Sequence, residues 1–201
     1  RLGSTRAGRW PMTTTKASGD PDTMRSLNAQ LTQYAEYHRD PRNIQTHLIG
    51  VPMIMLAVVI LLSRPVFLML GGPDGLPVTP ALLVALAACV FYFLLDLRYG
   101  LCMALLIAAM QEVGLWFAGQ STAVWLTSGV GLFLVGWVIQ FIGHWFEGRK
   151  PAFVDDVTGL AVGPLFVLAE MGFALGLRRE VQHAVEQGAG PVRRRERGAA
   201  S

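Results

Sequence analysis

Five long apolar runs decide which solvent this chain can fold in. They cover residues 48–63, 80–95, 100–118, 124–146 and 157–177. Each is near the ~20 residues that a helix needs to cross a hydrocarbon core of ~30 Å. Charged residues make up only 15% of the 201, against about 25% in an average soluble protein. Lipid is therefore the expected solvent. The expected fold class is all-α: a polytopic membrane helix bundle of four to five membrane-embedded helices, with an interfacial amphipathic helix before them. No internal repeat is evident.

The two ends differ from this middle. Residues 1–23 are polar and rich in Gly, Pro, Thr and Ser, which predicts a disordered amino-terminal extension, with Met24 as the natural start. Residues 24–177 form the expected membrane-embedded catalytic domain, and residues 178–201 a charged, flexible tail. The arginines of that tail, Arg193, Arg194, Arg195 and Arg197, have no aromatic residues among them and no folded platform beside them. That argues against nucleic acid as a partner and for water or lipid headgroups. Cys89 and Cys102 lie in apolar runs without CxxC spacing, which argues against a disulfide framework or a zinc knuckle.

Ahead of the first apolar run, Leu27, Leu31, Tyr34 and His38 recur at steps of four, three and four. That is one stripe of an amphipathic helix, expected to lie along the membrane surface and to end near Arg39. Asp40-Pro41 then reads as a helix cap followed by a proline at the first position of a new helix. The new helix carries Asn43 and His47 into the apolar run. On one straight helix His38 and His47, nine residues apart, would point about 180° away from each other. A corner at Asp40-Pro41 lets both imidazoles face one space.

A second polar cluster closes the fourth run. Gln140, His144 and Glu147 are spaced four and three apart, on one helical face. Four crossings from a cytoplasmic amino terminus return His144 to the side of His38 and His47, and Arg149 and Lys150 beside it fit the excess of positive charge expected there. Three imidazoles with a nearby carboxylate suit a first-row transition metal. Asn43 and Gln140, one turn before His47 and His144, are placed to orient those rings. His183 lies in the charged tail and reads as solvated.

The stretches YAEYHRDPRNIQTHLIGVP (34–52) and GWVIQFIGHWFEGRKPAFVDD (136–156) together resemble the membrane 2-hydroxy fatty acid dioxygenase family. The resemblance covers roughly residues 25–177. It rests on Tyr34, His38, Pro41, Asn43, His47 and Pro52, and on Gln140, Gly143, His144, Glu147, Pro151, Ala152 and Asp155, with Glu170 beyond. It implies an Fe(II)-dependent enzyme that shortens a 2-hydroxy fatty acid by one carbon with O2, releasing CO2. His38, His47 and His144 carry over as the iron ligands. A 2-hydroxy acid chelates through its hydroxyl and one carboxylate oxygen, and three protein ligands leave an octahedral ion room for that chelate and for O2. Glu147 would crowd the ion as a fourth ligand, so it stands either as a ligand or as a group that moves a proton beside it, with Asn43 and Gln140 in support. Arg42, Arg149, Lys150 and Tyr34 are the expected contacts of the substrate.

The expected setting is a bilayer: the inner membrane in a bacterium, the endoplasmic reticulum in a eukaryote, with the metal site near the cytoplasmic face. A small metal-ion or solute transporter is the alternative. Glu112, Glu170 and the Gly163-Pro164 interruption of the fifth run favour it. A membrane scaffold whose helices only pack against partners is a third reading. The fifth run reads either as a kinked span or as a segment that enters and returns, leaning over the histidines with Glu170 turned inward.

Overall fold

Helix caps and a one-residue joint at Asp96 set the architecture. The computed structural model describes residues 26–154 and 156–193. The expected extension at 1–23, the start at Met24, Asp155 and the arginines Arg194, Arg195 and Arg197 lie outside them. The described residues form seven α-helices and one small hairpin, an all-α membrane bundle.

Helix α1 (Leu27–Ala35) is capped by Ser26. Helix α2 (Pro41–Leu62) starts at the expected corner, with Asp40 accepting from the Arg42 N–H and Pro41 at the first position. A hairpin, β1 (Leu68–Leu70) with β2 (Leu76–Val78), follows. Gly71 and Gly72, at φ +89° and +107°, supply its turn. Helix α3 (Pro80–Leu95) meets α4 (Leu97–Ala118) at the single residue Asp96, which caps α4 through Tyr99 N–H. Helix α5 (Thr122–Glu147) stops at Gly148, φ +70°.

Among the described residues, three single helices are long and apolar enough to cross a membrane: α2, α4 and α5. Their 22, 22 and 26 residues rise ~33 to ~39 Å. Helix α3 has 16 residues, a rise of ~24 Å that is shorter than the other three. It still carries the chain back toward the histidine end, since Gly114 near the end of α4 lies against Val59 and Ser63 at the end of α2. The outward faces of these helices carry Leu83, Leu86, Leu105, Leu134 and Val138, each more than half exposed. A surface of that kind is stable only against lipid. Helices α2 and α5 form the closest pair in the bundle, because Gly50 and Gly136 let their backbones touch. A Cβ on Gly50 would sit 2.9 Å from the Gly136 carbonyl oxygen.

Two expectations change at the carboxyl end. Helix α6 (Gly159–Ala174) runs continuously through Pro164, so Gly163-Pro164 does not break the fifth run. Instead, Gly163 is where α6 lies down on α1; a Cβ there would meet the Tyr34 hydroxyl oxygen at 2.9 Å. Helix α7 (Arg179–Ala189) occupies the region expected to be a flexible tail. Val181, Val185 and Ala189, at steps of four, pack into the core, and α7 docks on α1. Helices α6 and α7 meet at 115°, where Gly176 (φ +74°) and Arg178 (φ 51°) turn the chain back. Arg178 is clamped there by both carboxylate oxygens of Asp96, at 3.0 and 3.1 Å. The chain then returns to the α1–α2 corner, where Arg193 N–H donates to the Arg39 carbonyl.

Helix α1 is also corrected. Its stripe faces α6 and α7, and Leu27, Leu31 and Tyr34 are buried in protein rather than laid on the membrane surface. It ends at Ala35, ahead of the expected Arg39, leaving the residues around His38 free of helical geometry.

The backbone contact between α2 and α5 predicts that Gly50→Ala destabilises the protein by about 1–3 kcal/mol through overpacking. Gly131→Ala, which meets nothing within 4 Å, should be neutral or slightly stabilising. Thermal unfolding in detergent measures both.

Candidate metal centre

The corner between α1 and α2 is held by a residue from the far end of α5. Glu147 Oε2 accepts from Arg39 N–H (3.0 Å), Asp40 N–H (2.7 Å) and the Asn43 side-chain amide (3.1 Å). The first two are backbone donors that a helix start leaves without partners, and a carboxylate is favoured at that end of a helix. Arg193 approaches the other oxygen at 3.3 Å. His144 lies one turn before Glu147 on the same face of α5. Pinning Glu147 to the corner therefore carries His144 to His38 and His47.

The three imidazoles meet there. Their rings are 4.4 Å (His38–His47), 5.0 Å (His38–His144) and 5.0 Å (His47–His144) apart, centre to centre. One nitrogen from each lies within 4.8 Å of the others, and all three residues are buried. His38 Nδ1 is 2.7 Å from the Tyr34 carbonyl oxygen, and His47 Nδ1 is 2.8 Å from that of Asn43. A carbonyl only accepts, so each Nδ1 carries the proton and each Nε2 a lone pair. Those two Nε2 atoms face each other at 3.0 Å. Burial, and then the neighbouring His47, hold His38 well below its ordinary pKa, in the neutral form that binds metals.

This donor set fits a cation. Two lone pairs facing each other repel unless something positive lies between them. Nitrogens bound side by side to an ion at ~2.1 Å are about 3 Å apart, the separation seen between His38 and His47. His144 Nδ1 is buried without a hydrogen-bond partner. Nitrogen-only ligation suits iron, zinc, copper or nickel. Tyr34 stacks on His38 at 4.3 Å and 5°, and Phe166 of α6 packs on the same ring at 5.4 Å, so the cluster is covered on that side.

His47, His144, Gln140 and Tyr34 form the head of a cavity of about 570 Å³. Below them its walls are apolar, built from α2, α3, Ile107 of α4, and Phe133 and Trp137 of α5. Val84 of α3 and Leu160 of α6 line it while more than half exposed, so it opens sideways between helices. Gln140 Oε1 is buried and unpaired at its head.

The remaining expected residues fall elsewhere. Arg42 pairs with Asp40 (2.7 Å), holding that carboxyl below its usual range, and covers the Phe146 ring at 4.2 Å. Arg149 donates to the Glu36 carbonyl. Neither of them, nor the exposed Lys150, lines the cavity. Glu112 is exposed on α4 and does not line the cavity, and His183 is exposed on α7. Glu170 faces inward, 3.7 Å from Arg39. Arg39 itself was not singled out from sequence. Its buried guanidinium donates to the Ala35, His38 and Gly190 carbonyls, tying α1, the corner and the carboxyl-terminal segment together. An arginine beside Asp-Pro carries no sequence signal for such a role.

Fold and site together define a helical membrane protein with a three-imidazole cluster, fit for a metal, at the head of a lipid-like cavity. The chain belongs to the Mpo1-like family: the family model described as 2-hydroxy-palmitic acid dioxygenase Mpo1-like matches residues 24–175. It is 32% identical over 168 residues to the 2-hydroxy-palmitic acid dioxygenase MPO1 of Saccharomyces cerevisiae, an alignment covering 80% of this chain and 90% of that protein. No solved structure matches the chain.

The arrangement predicts that His38→Ala, His47→Ala and His144→Ala each lower the metal content of purified protein, whereas His183→Ala leaves it unchanged. Glu147→Ala, which frees the corner, should weaken metal affinity by about 10–100-fold. Elemental analysis and competition against a chelator measure these effects.

Proposed function

We propose that this chain is an Fe(II)-dependent dioxygenase that converts a 2-hydroxy fatty acid to the acid one carbon shorter. The stoichiometry closes without any further reductant: R–CH(OH)–COOH and O2 give R–COOH, CO2 and H2O. The observation that carries the reading is the junction of three buried imidazoles with an apolar cavity, in a member of this family. Bound by His38, His47 and His144, iron would supply sites for the chelating hydroxyl and carboxylate of the acid and the electrons that activate O2.

The protein's own groups divide the remaining work. Asn43 takes the His47 Nδ1 proton on its carbonyl and gives its amide to Glu147, so one residue fixes both the tautomer and the corner. Glu147 positions rather than ligates: its Oε2 accepts three N–H groups, its Oε1 is turned to Arg193, and it stands outside the cluster of three imidazoles. The unpaired Gln140 Oε1 is an acceptor for the 2-hydroxyl proton at the cavity head. Tyr34 and Phe166 exclude water from the His38 side. The alkyl tail lies along the apolar walls, reached from the bilayer through the gap beside Val84 and Leu160. Arg42, Arg149 and Lys150 touch no part of the acid in this reading and serve to draw an anion toward that end of the bundle.

The same charges orient the molecule. Arg42, Arg149 and Lys150 flank the histidine end, while Arg64 is the charged residue nearest the opposite ends of α2 and α5. By the excess of Lys and Arg in cytoplasmic loops, the cluster faces the cytoplasm.

Oxygen consumption is the test. Iron-loaded protein should consume O2 with 2-hydroxyhexadecanoic acid and not with hexadecanoic acid, which lacks the second chelating oxygen. Equal uptake with both acids contradicts the proposal.

A further inference from the structure

The cavity has two unlike walls. Along α2 it is lined by His47, Val51, Met55, Val59 and Leu62. Their steps of four, four, four and three are one helical face. Opposite, α3 presents Tyr92, Ala88, Ala85 and Ala81. Helix α3 is otherwise rich in Leu, Val and Phe, with Leu83, Leu86, Val90 and Leu94 turned outward. Val84 joins them at the exposed edge of the cavity, and of the four alanines in α3 only Ala87 is turned outward. Ala81 and Ala85 line the cavity yet are only 2% and 8% exposed, so a larger side chain at either position is directed into the protein interior and not into lipid.

The dimensions are those of one extended alkyl chain. His47 to Leu62 is fifteen residues on one helix, a rise of ~22 Å. An extended chain advances about 1.2 Å per bond, so ~22 Å holds an acid of about sixteen to eighteen carbons. Ala88, Ala85 and Ala81 stand ~6, ~10 and ~16 Å along α3 from Tyr92. They form a graded series from the head of the cavity toward its foot, where α2 ends at Leu62 and α3 begins.

Hydrophobicity cannot provide discrimination here. The acid arrives from hydrocarbon, and an apolar wall offers its tail no gain that lipid does not. Length must be sensed by steric exclusion, where one methyl against one methylene decides whether the chain fits. We propose that Ala81, Ala85 and Ala88 of α3, closed at the foot by Leu62, form the ruler that sets the accepted acyl-chain length. This rests on the 2-hydroxy acid reading of the site.

The test uses full-length, iron-loaded protein in lipid nanodiscs and a homologous series of straight-chain 2-hydroxy acids. Two readouts are taken: kcat/KM in air, and thermal stabilisation by each acid without O2, where nothing turns over. Ala88→Leu should move the optimum furthest toward short acids, Ala85→Leu less and Ala81→Leu least. Leu62→Ala should move it toward longer ones. The ratio of a long to a short acid should change by about tenfold or more at the affected lengths. Where a leucine variant loses iron, valine at the same position replaces it. An unchanged length profile in variants with wild-type iron content and melting temperature overturns the ruler. If the parent protein consumes no 2-hydroxy acid but the stabilisation series keeps this order, the ruler stands and the oxygenation reading falls.

Discussion

Three N–H groups converge on a single carboxylate oxygen of Glu147, and the site depends on that convergence. Two come from the backbone of Arg39 and Asp40 and one from Asn43, more than a hundred residues away in sequence. A buried carboxylate is costly unless its lone pairs are filled. Here the filling groups are those that a sharp corner strands without partners. One contact thus meets the needs of both sides and closes the long loop through α3 and α4. The close approach of α2 and α5 at Gly50 and Gly136 makes that contact possible, since it brings the start of one helix level with the end of the other.

The chemistry follows from that junction. Carbonyls one turn back on the chain take the Nδ1 protons of His38 and His47, so both rings turn their lone pairs to the same point. Burial keeps His38 neutral. Nothing in such a cluster supplies the missing positive charge, and a bound cation does. Helix α6 lies over His38 through Phe166, and α7 returns so that Arg39 and Arg193 close the corner from outside. The site is therefore enclosed by protein on the water side. It opens into an apolar cavity, an arrangement suited to a substrate whose head reacts and whose tail belongs in lipid.

Much of this was legible in the sequence, for identifiable reasons. Apolar runs of span length announce themselves, and Asp40-Pro41 is a cap with a start signal. The step of three between His144 and Glu147 fixes both on one face. What was not legible depends on contacts between distant segments. The stripe of α1 reads equally well as lipid-facing or protein-facing until α6 and α7 are placed against it. Residues 179–189 carry enough charge to suggest a free tail, and only the spacing of Val181, Val185 and Ala189 betrays a docked helix. Arg39 acts through a guanidinium that reaches back to α1 and across to Gly190, a role no local pattern encodes. Arg42 and Arg149 bear the right charge for a carboxylate, but Asp40 and the Glu36 carbonyl take their side chains.

The central claim is that imidazoles from two distant segments, and not carboxylates, hold the metal. X-ray absorption at the iron edge of the loaded protein addresses it directly, through the scattering pattern that imidazole rings add beyond the nearest atoms. The account predicts the signature of three histidines at ~2.1 Å, reduced to that of two in His144→Ala, with nearest-neighbour light atoms changing when a 2-hydroxy acid is added. A spectrum fitted by oxygen ligands alone, or one that His144→Ala leaves unaltered, would contradict it.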